Sequence, residues 1–248
     1  MEMSLASVVM ILLAGTAAGF FNVVAGGGSL ITVPVLIFAG LPPVMANGTN
    51  RVAILSQNIM AVHRFRSKGY FPLKHGLILG LSAAAGATVG SLIAVEISGE
   101  IFKKILSLVM IHVLLLTLAG NRKKREGDST IRHIPLLIPV FFLIGIYGGF
   151  IQAGVGFIVI AAFSLISGTN LIVTNAIKVL VILIYTVPSL IIFIYSGQVA
   201  WIAGFTMAAG NICGAWLGAK MTIEKGDRWI KGVLTVTVTA MAVKLFFF

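Results

Sequence analysis

Long apolar stretches constrain the fold of this chain more than any other feature of its sequence. Four of them, at 4–21, 76–95, 105–119 and 171–195, approach the roughly 20 residues that a helix needs to cross a bilayer. Only 10% of the residues are charged, whereas a soluble domain carries roughly 25%. No polar stretch is long enough to form a separate soluble domain. We therefore expect an all-α fold: a polytopic helical protein that crosses the plasma (inner) membrane several times.

The basic residues do not indicate a nucleic-acid partner, although the net charge is +11. They cluster between the apolar segments, as they do in cytoplasmic loops. The single cysteine, Cys213, excludes an intrachain disulfide and a metal site built from several cysteines. We predict a chain that is surrounded by the lipid bilayer and has no metal and no cofactor.

An internal repeat emerges when the sequence is compared with itself at an offset of 128 residues. Six of the eight glycines between positions 28 and 90 then meet another glycine. Because about one residue in nine is glycine, chance would give about one such match. The two repeats are 1–120 and 134–248, and the basic stretch 121–133 connects them.

Each repeat consists of about five apolar segments, of which the second is short. In the first repeat they lie near 4–24, 28–40, 44–67, 73–95 and 101–120, and in the second near 134–153, 156–167, 172–195, 199–220 and 229–246. A helix of about 12 residues spans only ~18 Å, less than the ~30 Å hydrocarbon core. Glycines precede each short segment, so we expect broken half-helices there rather than continuous helices. The sequence leaves open whether these short segments cross fully or turn back.

Loop charges predict the orientation of each repeat. The loop at 64–75 is basic, whereas its repeat mate at 195–198 carries no charge, which places them on the cytoplasmic and outer sides. The order reverses at the next loop, because 96–100 is acidic and its mate at 220–231 is basic. With the strongly basic 121–133, we expect three cytoplasmic loops and two repeats of inverted topology.

The first candidate site lies at the paired glycine breaks. It comprises Asn22, Gly26, Gly27, Gly28 and Ser29 in the first repeat, and Gln152, Gly154 and Gly156 in the second. A broken helix at membrane depth exposes backbone N–H groups and the positive end of a helix dipole, which suit an anion. Paired glycine-interrupted segments are typical of a transporter's binding site. The alternative is close packing of helices through small residues.

The second candidate site lies at the start of the third segment in each repeat. It comprises Asn47, Asn50 and Arg51, with Asn175 and Lys178 in the second repeat. Two turns further along the first of these segments, Gln57 and Asn58 are further candidates for lining a cavity. Charges inside apolar helices usually face an interior cavity, so the two cations are predicted to converge and hold a small anion such as a sulfonate. Alternatively the cations snorkel to the interface, and the two asparagines can either cap their helices or bind ligand.

At these motifs the chain resembles the sulfite exporter TauE/SafE family. The stretches that carry the resemblance are Gly19–Asn22 through Gly26–Gly28 to Val33-Pro34, then Gly40–Pro43 to Gly48–Asn50, with the Gly-Ala-x-x-Gly signatures at Gly86–Gly90 and Gly214–Gly218. The resemblance covers nearly the whole chain. It implies export of sulfite or small organosulfonates. The second repeat departs from the pattern, with a shorter glycine run at Gly154–Gly156 and Leu171 in place of the second proline.

The leading interpretation is therefore a secondary transporter that moves a small anion by alternating access between its repeats. No Walker motif is present, so a gradient must supply the energy; the coupling ion (proton, sodium or none) and the transport direction are open. An anion channel or a carrier of another small oxoanion or carboxylate is the alternative. We expect no enzyme, because the sequence has no HExxH, no Ser/His/Asp pattern and no clustered carboxylates. Faces of small residues leave a homodimer open.

Overall fold

The computed structural model describes residues 5–108 and 130–247, and within these ranges the backbone is helical apart from short links, with no strand. The helices are α1 (Leu5–Val24), α2 (Ser29–Phe38), α3 (Pro43–Ser67), α4 (Leu73–Glu96), α5 (Ile134–Phe150), α6 (Val155–Ala162) with a π-helical turn (Phe163–Ser167), α7 (Leu171–Tyr195) and α8 (Trp201–Phe247). Helical backbone also begins at 99 and is described as far as 108. The predicted all-α class is confirmed.

Four helices are long and apolar enough to cross a membrane: α1, α4, α7 and the 201–226 part of α8. The equally long α3 is much more polar, and most of its polar residues between Asn47 and Asn58 are buried among the other helices instead of facing lipid. This gives a multi-pass membrane protein with one polar helix at its centre. The helices α2 and α6 are short, as the glycine breaks predict.

The predicted segments 199–220 and 229–246 are two helical stretches that meet at a kink instead of a loop. The basic stretch at 220–231 is helical and belongs to α8; the helix is interrupted only at Gly226, where φ is 72° and ψ is −171°. A positive φ is accessible to glycine without steric cost, so the chain bends at this one residue and needs no loop. The predicted connector 121–133 lies outside the described residues as far as 129, as does the end of the fifth segment, 109–120.

Helix pairing is unchanged when the two repeats are exchanged. The first helix of each repeat packs along the fourth helix of the other, so that α1 pairs with α8 and α5 pairs with α4. Likewise α3 packs on α8 and α4 packs on α7, while the two third helices, α3 and α7, pack on each other. This is the pattern of contacts that a pseudo-two-fold axis between the repeats would produce.

The paired helices show the direction in which each repeat runs. Along α1 and α8, Gly210 lies against Leu12 and Gly214 lies against Thr16, so these two helices are parallel. The glycines are required there because a side chain would meet the carbonyl oxygens of the neighbouring helix.

The same reasoning orders the other helices. In α4 and α5, Gly86 lies against Phe142 and Gly90 against Ile146, so they are parallel too. By contrast, Gly48 near the start of α3 lies against Phe193 near the end of α7, so the two third helices run in opposite directions. That is the relation that an inverted repeat requires; which end faces the cytoplasm stays a prediction.

Candidate functional site

The two glycine breaks meet at the centre of the molecule. Gly26 has a φ of 91°, a value that L side chains rarely adopt, and its Cα lies directly against Gly156. A Cβ on Gly26 would lie 2.8 Å from the backbone nitrogen of Phe157, and closer still to Gly156. Only glycine at both positions permits this approach. The glycines in the sequence therefore mark a place where two segments of the backbone cross.

The breaks leave backbone N–H groups available. In the described part of the chain, Gly27 and Gly28 before α2, and Gly154 and Gly156 at the start of α6, have no backbone acceptor for their N–H groups. The first N–H groups of a helix carry the positive end of its dipole. Two helix N-termini, one from each repeat, therefore begin beside the same crossing.

A narrow cavity borders the crossing. It is lined by Asn22, Gly26, Ser29, Ile54, Gln57, Asn58, Gln152, Val155, Gly156 and Ile182, and it encloses about 10 Å³. That volume is the size of a single water molecule. The lining comes from both repeats and combines carboxamides with aliphatic side chains, a mixture typical of small-molecule sites.

In the first repeat, one carboxamide is oriented by two others. The Gln57 Oε1 accepts hydrogen bonds from Asn22 Nδ2 at 3.2 Å and from Asn211 Nδ2 at 2.9 Å. With its oxygen occupied, Gln57 has its amino group free to donate to a ligand in the cavity. Asn211 is fully buried on α8 and does not line the cavity itself.

In the second repeat, Gln152 is the repeat mate of Asn22 and follows the end of α5. Its φ of 67° is unusual for a residue with a side chain, and such conformations are concentrated at functional sites. Its Oε1 accepts from Arg51 Nη1 at 3.2 Å. Its amino group also faces the Tyr185 hydroxyl, and the second of its two N–H groups is left to donate. The cavity is not purely a donor site, because Asn58 Nδ2 donates to the Ile54 carbonyl at 2.7 Å and leaves the Asn58 oxygen free.

Arg51 is fully buried and holds the end of α5. Its Nη1 donates to the Gly148 carbonyl at 3.2 Å, its Nη2 donates to the Gly149 carbonyl, and its guanidinium lies 4.5 Å from the ring centroid of Phe193. The last carbonyls of a helix have no intrahelical partner and attract cations.

Lys178 does the same for the end of α1. Its Nζ donates to the Val23 carbonyl at 2.8 Å and to Asn175 Oδ1 at 2.6 Å, and Asn175 Nδ2 donates to the Val24 carbonyl at 3.3 Å. Asn47 in the first repeat makes the matching contact, because its Nδ2 donates to the last carbonyl of α5 at 2.9 Å. Each third helix therefore caps the first helix of the opposite repeat.

These two cations have no acidic partner. Among the residues whose burial is described, Arg51 and Lys178 are the only buried charged side chains, and no buried aspartate or glutamate accompanies them. Buried charges are normally paired, since an isolated charge in a medium of low dielectric constant is costly. The buried region around these two residues therefore carries an excess of positive charge, which a bound anion would balance.

The structure gathers the candidate residues into one region but divides them by position. Asn22, Gly26, Ser29, Gln57, Gln152 and Gly156 line the cavity; Gly27, Gly28 and Gly154 belong to the adjoining breaks; and Asn47, Asn50, Arg51, Asn175 and Lys178 lie behind the lining. Asn50 Oδ1 accepts from Thr32 Oγ1 at 2.7 Å and so joins α3 to α2. Neither cation lines the cavity.

The sequence interpretation missed Asn211, whereas it named Asn58 with Gln57 as a candidate for lining a cavity. Asn58 adjoins Gln57 and lines the same cavity. The signal for Asn211 was a lone carboxamide within the otherwise apolar first half of α8. Its partner could not be read from the sequence, because Asn211 and Gln57 are 154 positions apart.

An all-helical, multi-pass chain with two pseudo-symmetric halves and polar helix breaks at their crossing belongs to the class of membrane transporters. Residues 11–245 match the family model of the sulfite exporter TauE/SafE. The chain is a member of the TauE/SafE family.

Relatives of the chain are named as transporters. It is 32% identical over 235 residues to a "Probable membrane transporter protein" of Haemophilus influenzae, covering 93% of this chain and 91% of the relative. It is 30% identical over 229 residues to "Probable membrane transporter protein ORF9" of Sinorhizobium sp, covering 92% and 88%. The YfcA "Probable membrane transporter protein" of Escherichia coli K12 is 26% identical over 231 residues, covering 93% and 86%. No solved structure matches the chain. These bacterial relatives fit the predicted inner-membrane location.

Proposed function

We propose that this membrane transporter carries small sulfur oxoanions, such as sulfite or sulfoacetate-like organosulfonates, out of the cell. The anion binds in the cavity between the two glycine breaks, near the pseudo-two-fold axis. One observation carries the proposal: two buried cations without a buried acidic partner lie behind the lining of the cavity. That lining contains carboxamide donors and backbone N–H groups that have no backbone acceptor.

The charge of the site favours an anion over a neutral or cationic substrate. A unit charge within about 6–8 Å stabilises an anion by roughly 2–3 kcal/mol at an effective dielectric constant near 20. Arg51 bonds directly to Gln152 in the lining, and Lys178 bonds to Val23, the neighbour of Asn22 in the lining. Both cations thus act from just behind the donors.

The donors supply the contacts that the cations do not. Gln57 and Gln152 each present an amino group, one from each repeat, and the free N–H groups of the breaks lie beside them. An oxoanion with three oxygens can accept from several of these groups at once. Hydrogen bonds to a charged group contribute about 1.5–3 kcal/mol each.

Transport requires the lining to separate, because about 10 Å³ cannot hold sulfite. We propose that the two repeats move against one another by alternating access, opening the cavity first to one side and then to the other. The cross-repeat caps at Arg51 and Lys178 would then be contacts that are remade during each cycle.

Counterflow of radiolabelled sulfite into proteoliposomes tests the function. We expect saturable uptake driven by internal unlabelled sulfite, and a half-saturation concentration that rises about tenfold or more in Gln57→Leu and in Gln152→Leu. Gln198→Leu makes the same change in the partly exposed link between α7 and α8 and should leave counterflow unchanged.

Two outcomes would contradict the proposal. Absence of counterflow with sulfite, sulfate, sulfoacetate and taurine would reject sulfur oxoanions as the substrate class. Unitary currents in place of saturable exchange would indicate an anion channel with the same fold.

A further inference from the structure

We propose that the end of α3 and the turns of α8 just before its kink at Gly226 form a binding site for the headgroup of an acidic phospholipid, built on Arg64, Trp216 and Lys220. The site is separate from the central cavity and does not depend on which substrate the protein carries. It rests on two cations from different helices that converge on one aromatic ring.

The geometry brings the cations together at one end of the molecule. The Arg64 guanidinium carbon lies 5.2 Å from the ring centroid of Trp216, and Lys220 Nζ lies 5.6 Å from the same centroid. Both are within the range of a cation–π interaction. The two charges are therefore no more than about 11 Å apart, a span that flexible arginine and lysine side chains can close on one phosphate group.

No acidic side chain that the structure describes is paired with either cation. Among the described residues, neither Arg64 nor Lys220 forms an ion pair, and the Arg64 Nε is buried without a hydrogen-bond acceptor. The nearest acid along α8, Glu224, is exposed. Two like charges held beside one ring repel each other, so an anion between them is the arrangement that relieves the repulsion.

The surroundings of Trp216 indicate that a lipid supplies this anion. Trp216 is 40% exposed and belongs to the face of α8 that also exposes Ile202, Phe205 and Leu217, which is the face turned to the bilayer. Tryptophan is favoured where the apolar core meets the headgroups. Basic pockets between membrane helices at this depth are suited to acidic headgroups, and the same end of α3 carries the predicted cytoplasmic basic loop at 64–75.

Arg66 provides a matched comparison within the same turn. Its guanidinium carbon lies 5.2 Å from the ring centroid of Phe71, the same distance as in the Arg64 pair, but with only one cation on the ring. Arg66 is exposed, and its neutralisation removes the same charge from the same end of the helix. It therefore separates a specific site from general attraction to a negatively charged membrane.

The test measures thermal unfolding in neutral detergent with added phosphatidylglycerol or with phosphatidylcholine of the same acyl chains. For the wild type and for Arg66→Gln, we expect phosphatidylglycerol to raise the melting temperature by about 5 °C more than phosphatidylcholine does. In the double variant Arg64→Gln/Lys220→Gln this difference should vanish. Without added lipid the double variant should be as stable as the wild type, since it removes two repelling charges.

Native mass spectrometry supplies the second readout. The wild type and Arg66→Gln should each retain one phosphatidylglycerol molecule, whereas the double variant should retain none, and high salt should weaken retention. An equal response to both lipids in the wild type would overturn the site. So would a response that falls in Arg66→Gln as much as in the double variant, because the attraction would then be general.

Discussion

The crossing of the two glycine breaks predicts a large and separable effect of adding single methyl groups. Gly26→Ala introduces two faults: a Cβ at a φ of 91°, and a collision with the backbone at Gly156. Gly156→Ala introduces the collision alone, because Gly156 lies in helical backbone and its Cβ would be 2.8 Å from the Gly26 carbonyl oxygen. Gly69→Ala introduces only the backbone fault, since its φ is 82° with nothing within 4 Å.

The magnitudes follow from these geometries. A residue with a side chain in the left-handed region costs roughly 1–2 kcal/mol, which is the whole effect expected for Gly69→Ala. Overpacking costs about 1–3 kcal/mol where neighbours can yield, and at Gly156 the neighbour is backbone. Gly26→Ala should therefore lose roughly 2–5 kcal/mol. Together the three variants test whether the cost of the left-handed backbone and the cost of overpacking add at Gly26.

Thermal unfolding in detergent and sulfite binding should be measured on the same preparations. We expect Gly69→Ala to lower the melting temperature modestly and to bind sulfite as the wild type does, because the residue lies in the link between α3 and α4. Gly156→Ala and Gly26→Ala should lose sulfite binding as well, with Gly26→Ala the least stable. If Gly26→Ala is no less stable than Gly69→Ala, the breaks do not meet as described.

Further predictions concern the groups behind the cavity and the orientation of the chain. Asn211→Leu should raise the half-saturation concentration for sulfite about tenfold with little change in maximal counterflow, because Gln57 loses one of the two donors that orient it; an unchanged value would assign Asn211 a packing role alone. Lys178→Met should lower stability by about 1–3 kcal/mol, since the Val23 carbonyl and Asn175 lose their donor, while sulfite binding weakens roughly tenfold to a hundredfold; unchanged binding would contradict this. Arg51→Lys keeps the charge but cannot reach all three acceptors, so stability should fall by about 1–3 kcal/mol, and calorimetry or chemical denaturation will measure the loss. In a cysteine-free background, cysteine at Ser67 should be labelled from the cytoplasm and cysteine at Ser196 from outside; labelling from one side would refute the inverted orientation.

Glycine register predicted much of the fold because close backbone crossings leave a sequence signature. Where helices touch backbone to backbone, as at Gly86 and Gly214, no other residue fits, and the spacing is visible in both repeats. The same signal predicted the breaks at Gly26 and Gly156. The structure adds that these two breaks contact each other, which a comparison of the repeats cannot show.

The roles of the two cations could not be predicted to the same degree. A charge within an apolar helix indicates an interior site, and the burial of Arg51 and Lys178 agrees with it. Their partners, however, are backbone carbonyls of Gly148 and Val23. Every residue has a carbonyl, so no residue type marks the one that is used. The loop at 220–231 was predicted too long, since its polar residues suit either a loop or helical turns on both sides of the kink at Gly226.

The location of the bound anion tests the central claim most directly. Selenite resembles sulfite, and its selenium atom can be located by anomalous scattering in crystals of the protein grown with selenite. We expect one selenium peak between the two glycine breaks, within hydrogen-bonding reach of Gln57 and Gln152, and its loss in crystals of Gly156→Ala. A peak elsewhere in the membrane region, with none at the crossing of Gly26 and Gly156, would contradict the account.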